Sequence, residues 1–260
     1  MAHPAPQTYT IDLATACSEV IQLSADGWKV TTDFDTRFFR PDNSVPFQPP
    51  VKVKTKLHQA LQDIFNIQES KSKQLSTWLV DALLQNQTQP TLIITGKFRH
   101  EAVAKLRAYV DPSVCPVHTM PATRITMGRL AITNRVMAFD IYKQLSPSKI
   151  EMLNQLRTGM IVELKQVSRN SEAISTLVRR PIILSAEQAP KIHETQIEIE
   201  VDEIAVVERC ELLSALLDAA VHQIRQLQER EERQVYLEWA APEMAGYQPI
   251  EEYSQDVPGP

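Results

Sequence analysis

Two spacings of apolar residues alternate along this 260-residue chain, and they predict its elements. From Lys56 to Leu84 the positions Leu57, Leu61, Ile64 and Phe65, then Leu75, Trp78, Leu79 and Leu83, keep helical spacing, with a break near Gln68–Ser72. Beyond Pro90 the pattern becomes alternating: an apolar strand at 91–95, a helix at about 99–110, and a second apolar strand at 136–140. A helix at 147–157 follows, with Ser146 as its cap and Pro147 at its first position, where a missing N–H costs nothing. Further strands are expected at 160–165, 174–178 and 181–185, then at 195–201, where Ile197, Ile199 and Val201 alternate with charge. The last element is a helix from about 203 to 240. Strands separated by helices of this length predict an α/β domain whose largely parallel sheet is covered on both faces.

Upstream the pattern is different. Residues 8–32 carry a short apolar segment, a turn at Asp26-Gly27 and an alternating stretch from Trp28, while Pro41, Pro46, Pro49 and Pro50 forbid regular structure over 40–50 and hold an extended arm. The chain therefore divides into an N-terminal strand and Pro-rich arm (1–55), an α/β core (56–202), a C-terminal helix (203–240) and an acidic flexible tail (241–260).

Composition narrows the chemistry. No run of about 18 apolar residues is present, as a membrane helix needs, and the N-terminus has no positive region leading into an apolar stretch, so the expectation is a cytoplasmic protein without membrane contact. Cys17, Cys115 and Cys210 are odd in number and widely separated, and the six histidines form no i, i+4 pair. Neither a disulfide framework, a metal site nor a cofactor is expected.

The segment Leu92-Ile-Ile-Thr-Gly-Lys-Phe-Arg-His-Glu-Ala reads as a strand, a tight turn and a helix, the place where a nucleotide-binding fold carries its phosphate loop. Such a loop needs several glycines, so that backbone N–H groups can close around phosphates, and then a Lys and a hydroxyl residue. Here Gly96 is followed directly by Lys97-Phe98-Arg99-His100.

Several stretches, taken in order, resemble the phosphate-loop ATPase of prophages and other mobile elements, an AAA+-like family related to replication helicases. They are Trp28 to Pro46, Leu75 to Gly96, Val110-Asp111-Pro112, Ile132–Asp140, Leu145-Ser146-Pro147, Leu156–Gly159, Arg180–Leu184 and Leu213–Leu227. The resemblance implies a three-layer fold of P-loop type, with Gly96, Asp140 and Ser185 at the positions of a vestigial nucleotide site. The departures from the family are as informative. The glycine-rich Lys-Ser/Thr loop is missing, Asp140 is followed by Ile141 rather than a polar residue, Ser185 stands where the family usually has Asn, and Glu194 or a neighbour replaces an arginine. An arginine there would neutralise transition-state charge, and a carboxylate opposes it. Loss of ATP hydrolysis is the expectation, so no catalytic residue is assigned.

Charge adds the remaining signal. The chain carries −5 overall. Residues 96–135 nevertheless gather Lys97, Arg99, Lys105, Arg107, Arg124, Arg129 and Arg135, whereas residues 186–218 are acidic and include Glu194, Glu198 and Glu200. The basic segment is a candidate contact for DNA or RNA, or for the acidic segment of a partner or second copy. The functional expectation is a catalytically inactive, ATPase-like structural or adaptor subunit of a mobile-element nucleic-acid assembly. The alternatives are an active NTPase using Lys97 or Lys105 in an unconventional loop, and a stand-alone regulator that binds one protein partner.

Overall fold

The computed structural model describes residues 8–38, 40–42, 44–52, 54–85, 88–164, 174–193, 195–205 and 209–244. Its centre is a sheet of five strands. These are β4 (Thr91–Thr95), β5 (His118–Thr119), β6 (Met137–Ile141), β9 (Ile182–Ala186) and β10 (Gln196–Glu200), in the order β10-β4-β9-β6-β5. Every pairing in it is parallel. Because successive strand residues point to opposite faces, Leu92, Ile94, Ala138 and Ile183 serve one core, and Ile93, Met137, Phe139, Ile182 and Leu184 serve another. The first core is closed by α1 (Leu57–Phe65), α2 (Glu69–Leu84), α3 (Arg99–Val110) and α6 (Arg209–Met244). The second is closed by α4 (Arg124–Thr133) and α5 (Pro147–Thr158). The result is a three-layer α/β fold of P-loop type.

The N-terminal segment is an antiparallel sheet of β1 (Tyr9–Asp12), β2 (Val20–Ser24) and β3 (Gly27–Thr31). Ser24 pairs with Gly27, so the turn is Ala25-Asp26, one residue earlier than the sequence pattern suggests. Ile11, Leu13, Ile21 and Leu23 of this sheet belong to the first core, and the Trp28 indole N–H donates to Asp218 of α6 at 2.8 Å. The described residues of the Pro-rich arm form no helix or strand, and a turn closes where Ser44 N–H donates to the Pro41 carbonyl at 2.9 Å. The arm is tied down where its N–H groups are free to bond: Phe47 donates to the Leu13 carbonyl (2.9 Å) and Val45 to that of Pro112 (3.2 Å), while Arg40 grips Asp12 with two nitrogens at 2.6 and 2.7 Å.

Five elements differ from the sequence expectation. Strands β7 (Met160–Leu164) and β8 (Ile174–Val178) do not join the parallel sheet; they form an antiparallel pair of their own. The connection between them is too short for the crossover that a parallel pair requires. β5 and α4 had no counterpart in the pattern. β5 is two residues long, and α4 buries only Met127, Gly128 and Ala131, so it presents no apolar stripe. Gly128 is there because α4 lies close on β7, where an added Cβ would meet Val162 at 3.0 Å. The helix expected from about 203 begins at Arg209; Val201 to Ala205 are non-helical, and the Ala205 N–H donates to the Ile64 carbonyl at 2.7 Å. Most of the expected tail, 245–260, lies outside the described residues.

Candidate functional site at the strand ends

In open parallel sheets ligands bind at the carboxyl ends of the strands. Here that edge gathers the β4–α3 loop, Asp140 near the end of β6 and Tyr142 after it, Ser185 near the end of β9 and Glu187 after it, and Asp202 after β10. Gly96 has φ +94°, and an added Cβ would lie 2.5 Å from the Val201 carbonyl oxygen and 2.8 Å from Asp202 Oδ1. Its lack of a side chain thus admits the neighbouring strand end. That strand end takes the loop's donors: Lys97 N–H donates to Asp202 Oδ1 and Phe98 N–H to the Val201 carbonyl, each at 3.0 Å, while Val201 N–H returns a bond to Thr95 (2.9 Å).

His100, in the first turn of α3, faces two strand ends. Its Nδ1 lies 3.3 Å from Ser185 Oγ and 3.5 Å from Asp140 Oδ1. Asp140 and Ser185 are register partners on β6 and β9. Asp140 is 7% exposed, and neither of its oxygens accepts a hydrogen bond among the described residues. The Tyr142 ring lies 6.3 Å from His100 and is exposed. Since both Ser185 and Asp140 address the same imidazole nitrogen, the cluster lacks the two-sided relay of a Ser-His-Asp nucleophile. On either side of the loop after β6 lie open clefts of about 510 and 260 Å³. The larger is bounded by Tyr142, Lys143, Gln188 and Lys191, and the smaller by Thr119, Met120 and Lys149.

The seven basic candidates do not form one patch. Arg107 is fully buried: Nη1 donates to the Cys115 and Pro116 carbonyls at 2.9 Å each, and Nη2 donates to Asp111 (3.2 Å) and to Asn134 Oδ1. Burial lowers its pKa, and Asp111 works against that shift. Arg135 is half-buried, its pKa is lowered by desolvation, and its guanidinium donates to the Leu83 carbonyl. Arg107 cannot reach a phosphate backbone and leaves the list of nucleic-acid contacts, and the Arg135 guanidinium is engaged in bridging loops. Lys105 donates to the Ala205 carbonyl at 3.3 Å, and Arg99 lies 3.5 Å from Glu187 with its side chain 18% exposed. Lys97, Arg124 and Arg129 are exposed, but Lys97 leads into α3 on one side of the sheet, and the two arginines sit on α4 on the other. Glu198 and Glu200 are exposed on the edge strand β10, and Glu194 lies outside the described residues. The acidic segment already meets the basic one within the chain, through Glu187 on the Arg99 guanidinium and Asp202 on the Lys97 main-chain N–H.

A second cluster of side chains, around Asp111 and Arg180, lies at the other end of the sheet. Asp111 Oδ2 accepts from Arg107 and from the N–H groups of Arg135 (2.9 Å) and Val136 (3.0 Å), and Arg180 Nε donates to the Ala131 and Asn134 carbonyls at 2.8 Å each. These residues build the joint between helix ends and strand starts. His100, Tyr142, Glu187 and Asp202 were not singled out as site residues by the sequence pattern. The one signal for Asp202 was its place at the end of a strand in an acidic run, and its partner becomes visible only once β10 lies beside β4. Among the described residues no helix is long and apolar enough to cross a membrane, and no three His, Cys, Asp or Glu side chains are grouped as a metal would require.

No family model matches this chain, and no curated protein matches it. Among solved structures it is similar to the A form apo structure of the NrS-1 C-terminal region, residues 305–718, at 13% identity and a TM-score of 0.40, over 66% of this chain and 45% of that one. A second NrS-1 C-terminal-region structure gives 10% and 0.41 over 80% and 63%. A JCV helicase bound to a thiazolopyridine acetamide gives 13% and 0.31 over 68% and 66%. The chain thus spans about half the length of the first of these, and scores of this size carry no residue's role across.

Proposed function

We propose that this protein is an ATPase-like subunit that does not turn over nucleotide. It serves as a structural or adaptor component of a nucleic-acid-handling assembly of a phage or mobile element, working through protein contacts and, at exposed Lys97, Arg124 and Arg129, through DNA or RNA. The observation that carries the reading is the engagement of the β4–α3 loop. A triphosphate is held chiefly by backbone N–H groups at the start of this helix. Here the Lys97 and Phe98 N–H groups are taken by Asp202 and Val201, and the strand end crosses where an anion would approach Gly96. A carboxylate of the chain itself supplies the negative charge at the loop.

Thermal unfolding with and without millimolar Mg-ATP, together with a phosphate-release assay, tests this. Coincident melts and no release are expected, because a site of micromolar affinity at such concentrations would stabilise the fold by several kcal/mol, on the order of 4. A shift of several degrees, or steady release, overturns the reading. One observation favours a second reading, an NTPase with an unconventional loop: Asp140 is a buried carboxylate at a strand end, without a hydrogen bond. Phosphate release that disappears in Asp140→Asn would establish it.

A further inference from the structure

At the opposite end of the sheet from the strand-end site, where β4 and β9 begin, there is a small pocket of about 40 Å³ bounded by Gln85, Gln89, Arg157, Arg179, Arg180 and Pro181. It has roughly three times the room that one water requires. Three guanidinium groups meet there, and among the described residues none of them forms an ion pair with a carboxylate. Their hydrogen bonds go to backbone carbonyls. Arg157 Nη1 reaches Gln89 (3.5 Å), Arg179 Nε reaches Thr158 (3.2 Å), and Arg180 Nη1 reaches Arg179 (2.9 Å) in addition to its two bonds through Nε. This uses one nitrogen of Arg157 and one of Arg179.

Closing the ends of α4 and α5 accounts for those bonds, but it does not account for Gln89. That side chain is 4% exposed, and its Nε2 and Oε1, like Arg157 Nε beside it, have no hydrogen-bond partner among the described residues. A pocket that served packing alone would hold a leucine at 89, since an unpaired buried amide is a standing cost. Concentrated guanidinium charge with a buried, unpaired amide is the donor set that a tetrahedral oxyanion satisfies, arginine being suited to paired N–H···O bonds with phosphate.

We propose that this pocket binds a single phosphate group, held by Arg157 and Arg179 with Gln89 as the neutral donor at its base. The group comes either from free inorganic phosphate or from a terminal phosphate on an oligonucleotide; the pocket admits the group in either case. The site is independent of the β4–α3 loop, so its failure leaves the reading of that loop untouched.

The test is thermal unfolding of the full chain titrated with sodium phosphate to roughly 20 mM at constant ionic strength, in the unmodified protein and in Arg179→Gln, Gln89→Leu and, as a control at an exposed arginine of α6, Arg230→Gln. Phosphate salts raise the melting point of any protein by exclusion from its surface, so the readout is the difference between variants. The unmodified protein and Arg230→Gln should gain roughly 2–4 °C more than Arg179→Gln. Gln89→Leu should melt higher than the unmodified protein without phosphate and lose the phosphate-dependent gain, whereas a merely structural Gln89 would make the same variant melt lower. The second arm compares 5′-phosphorylated and unphosphorylated short oligonucleotides. A gain confined to the phosphorylated one and absent in Arg179→Gln identifies the polymer end as the source, and a gain with phosphate alone identifies the free ion. Equal gains in all four proteins, or no gain in either arm, overturns the proposal. Nucleotide carries the same group, so the Mg-ATP melts are repeated in Arg179→Gln: a shift lost there belongs to this pocket, and one retained belongs to the loop.

Discussion

Replacing Gly96 by alanine separates the two roles a glycine could have at this position. In a working phosphate loop the residue lets backbone approach phosphate; here it lets backbone approach backbone. The added Cβ would lie 2.5 Å from the Val201 carbonyl oxygen and 2.8 Å from Asp202 Oδ1, at a φ of +94° that an L side chain rarely adopts. The backbone strain is worth about 1–3 kcal/mol. The overlap cannot be relieved by rotating a side chain, because the closest atom is main chain, and displacing the 201–202 segment adds about 1–3 kcal/mol. Gly96→Ala should therefore lose about 2–6 kcal/mol, a large share of the roughly 5–15 kcal/mol that keeps a domain folded. Urea unfolding followed by circular dichroism would show this as a lower midpoint at unchanged slope. Gly27→Ala is the control: φ is +146° but nothing lies within 4 Å of the added Cβ, so only the strain remains, about 1–3 kcal/mol. A Gly96→Ala midpoint equal to that of the unmodified protein would refute the view that the β10 end is closed on the loop.

Arg107→Met should destabilise by about 3–5 kcal/mol, because Asp111 keeps its charge in a half-buried setting without its guanidinium; unfolding within 1 kcal/mol of the unmodified protein would contradict that role. The pKa of His118 is lowered by burial and then by Arg107, and that of His193 by burial and then by Arg157. Both are held neutral in the fold, so the unfolded chain binds more protons below about pH 6.5, and stability should fall as pH drops from 7 through 6.5 and below. His118→Gln should flatten that slope in urea midpoints; an unchanged slope counts against it. If the exposed cations contact nucleic acid, Lys97→Ala with Arg124→Ala and Arg129→Ala should weaken gel-shift binding regardless of sequence and reduce its salt dependence, and no binding by the unmodified protein at low salt would remove the idea. If copies associate through opposed charge, Lys97→Glu with Arg129→Glu should abolish association seen by light scattering and Glu198→Lys with Glu200→Lys should partly restore it; a monomer at high concentration would argue against this arrangement.

The parallel sheet was legible because its central strands are short, continuous apolar runs. The 91–95 strand and the 99–110 helix appear in the structure with the bounds the pattern gave, and the break between α1 and α2 falls close to where the spacing lapses. α4 was not legible, because Met127 is its one large fully buried side chain and its close approach to β7 is made at Gly128, and small residues leave no trace in a hydrophobic pattern. The β7–β8 pair was read as two strands but placed in the wrong sheet, since alternation reports a strand without naming its neighbour. The basic segment illustrates a different limit. Lys97 and Arg107 count equally in a charge sum, yet one is exposed and the other donates into four loop acceptors. Which arginines are struts is decided by where the 115–118 and 134–136 backbones arrive, information that lies in the tertiary structure.

The bond between Lys97 and Asp202 joins positions 105 residues apart, and it dictates an order of events during synthesis. β4 is an interior strand made early, yet both of its sheet neighbours, β9 and β10, are the last strands made. At typical elongation rates the ribosome needs about 5–20 s to travel from the loop to its latch, and throughout that interval the apolar edges of β4 have no partner. Long-range parallel pairing of this kind is slow and exposed to aggregation. Protein released early, short of β10, would therefore present an open, apolar strand as a template for other chains. A cell making this protein would meet its risk of misassembly as a question of timing and chaperone access, before any finished molecule exists.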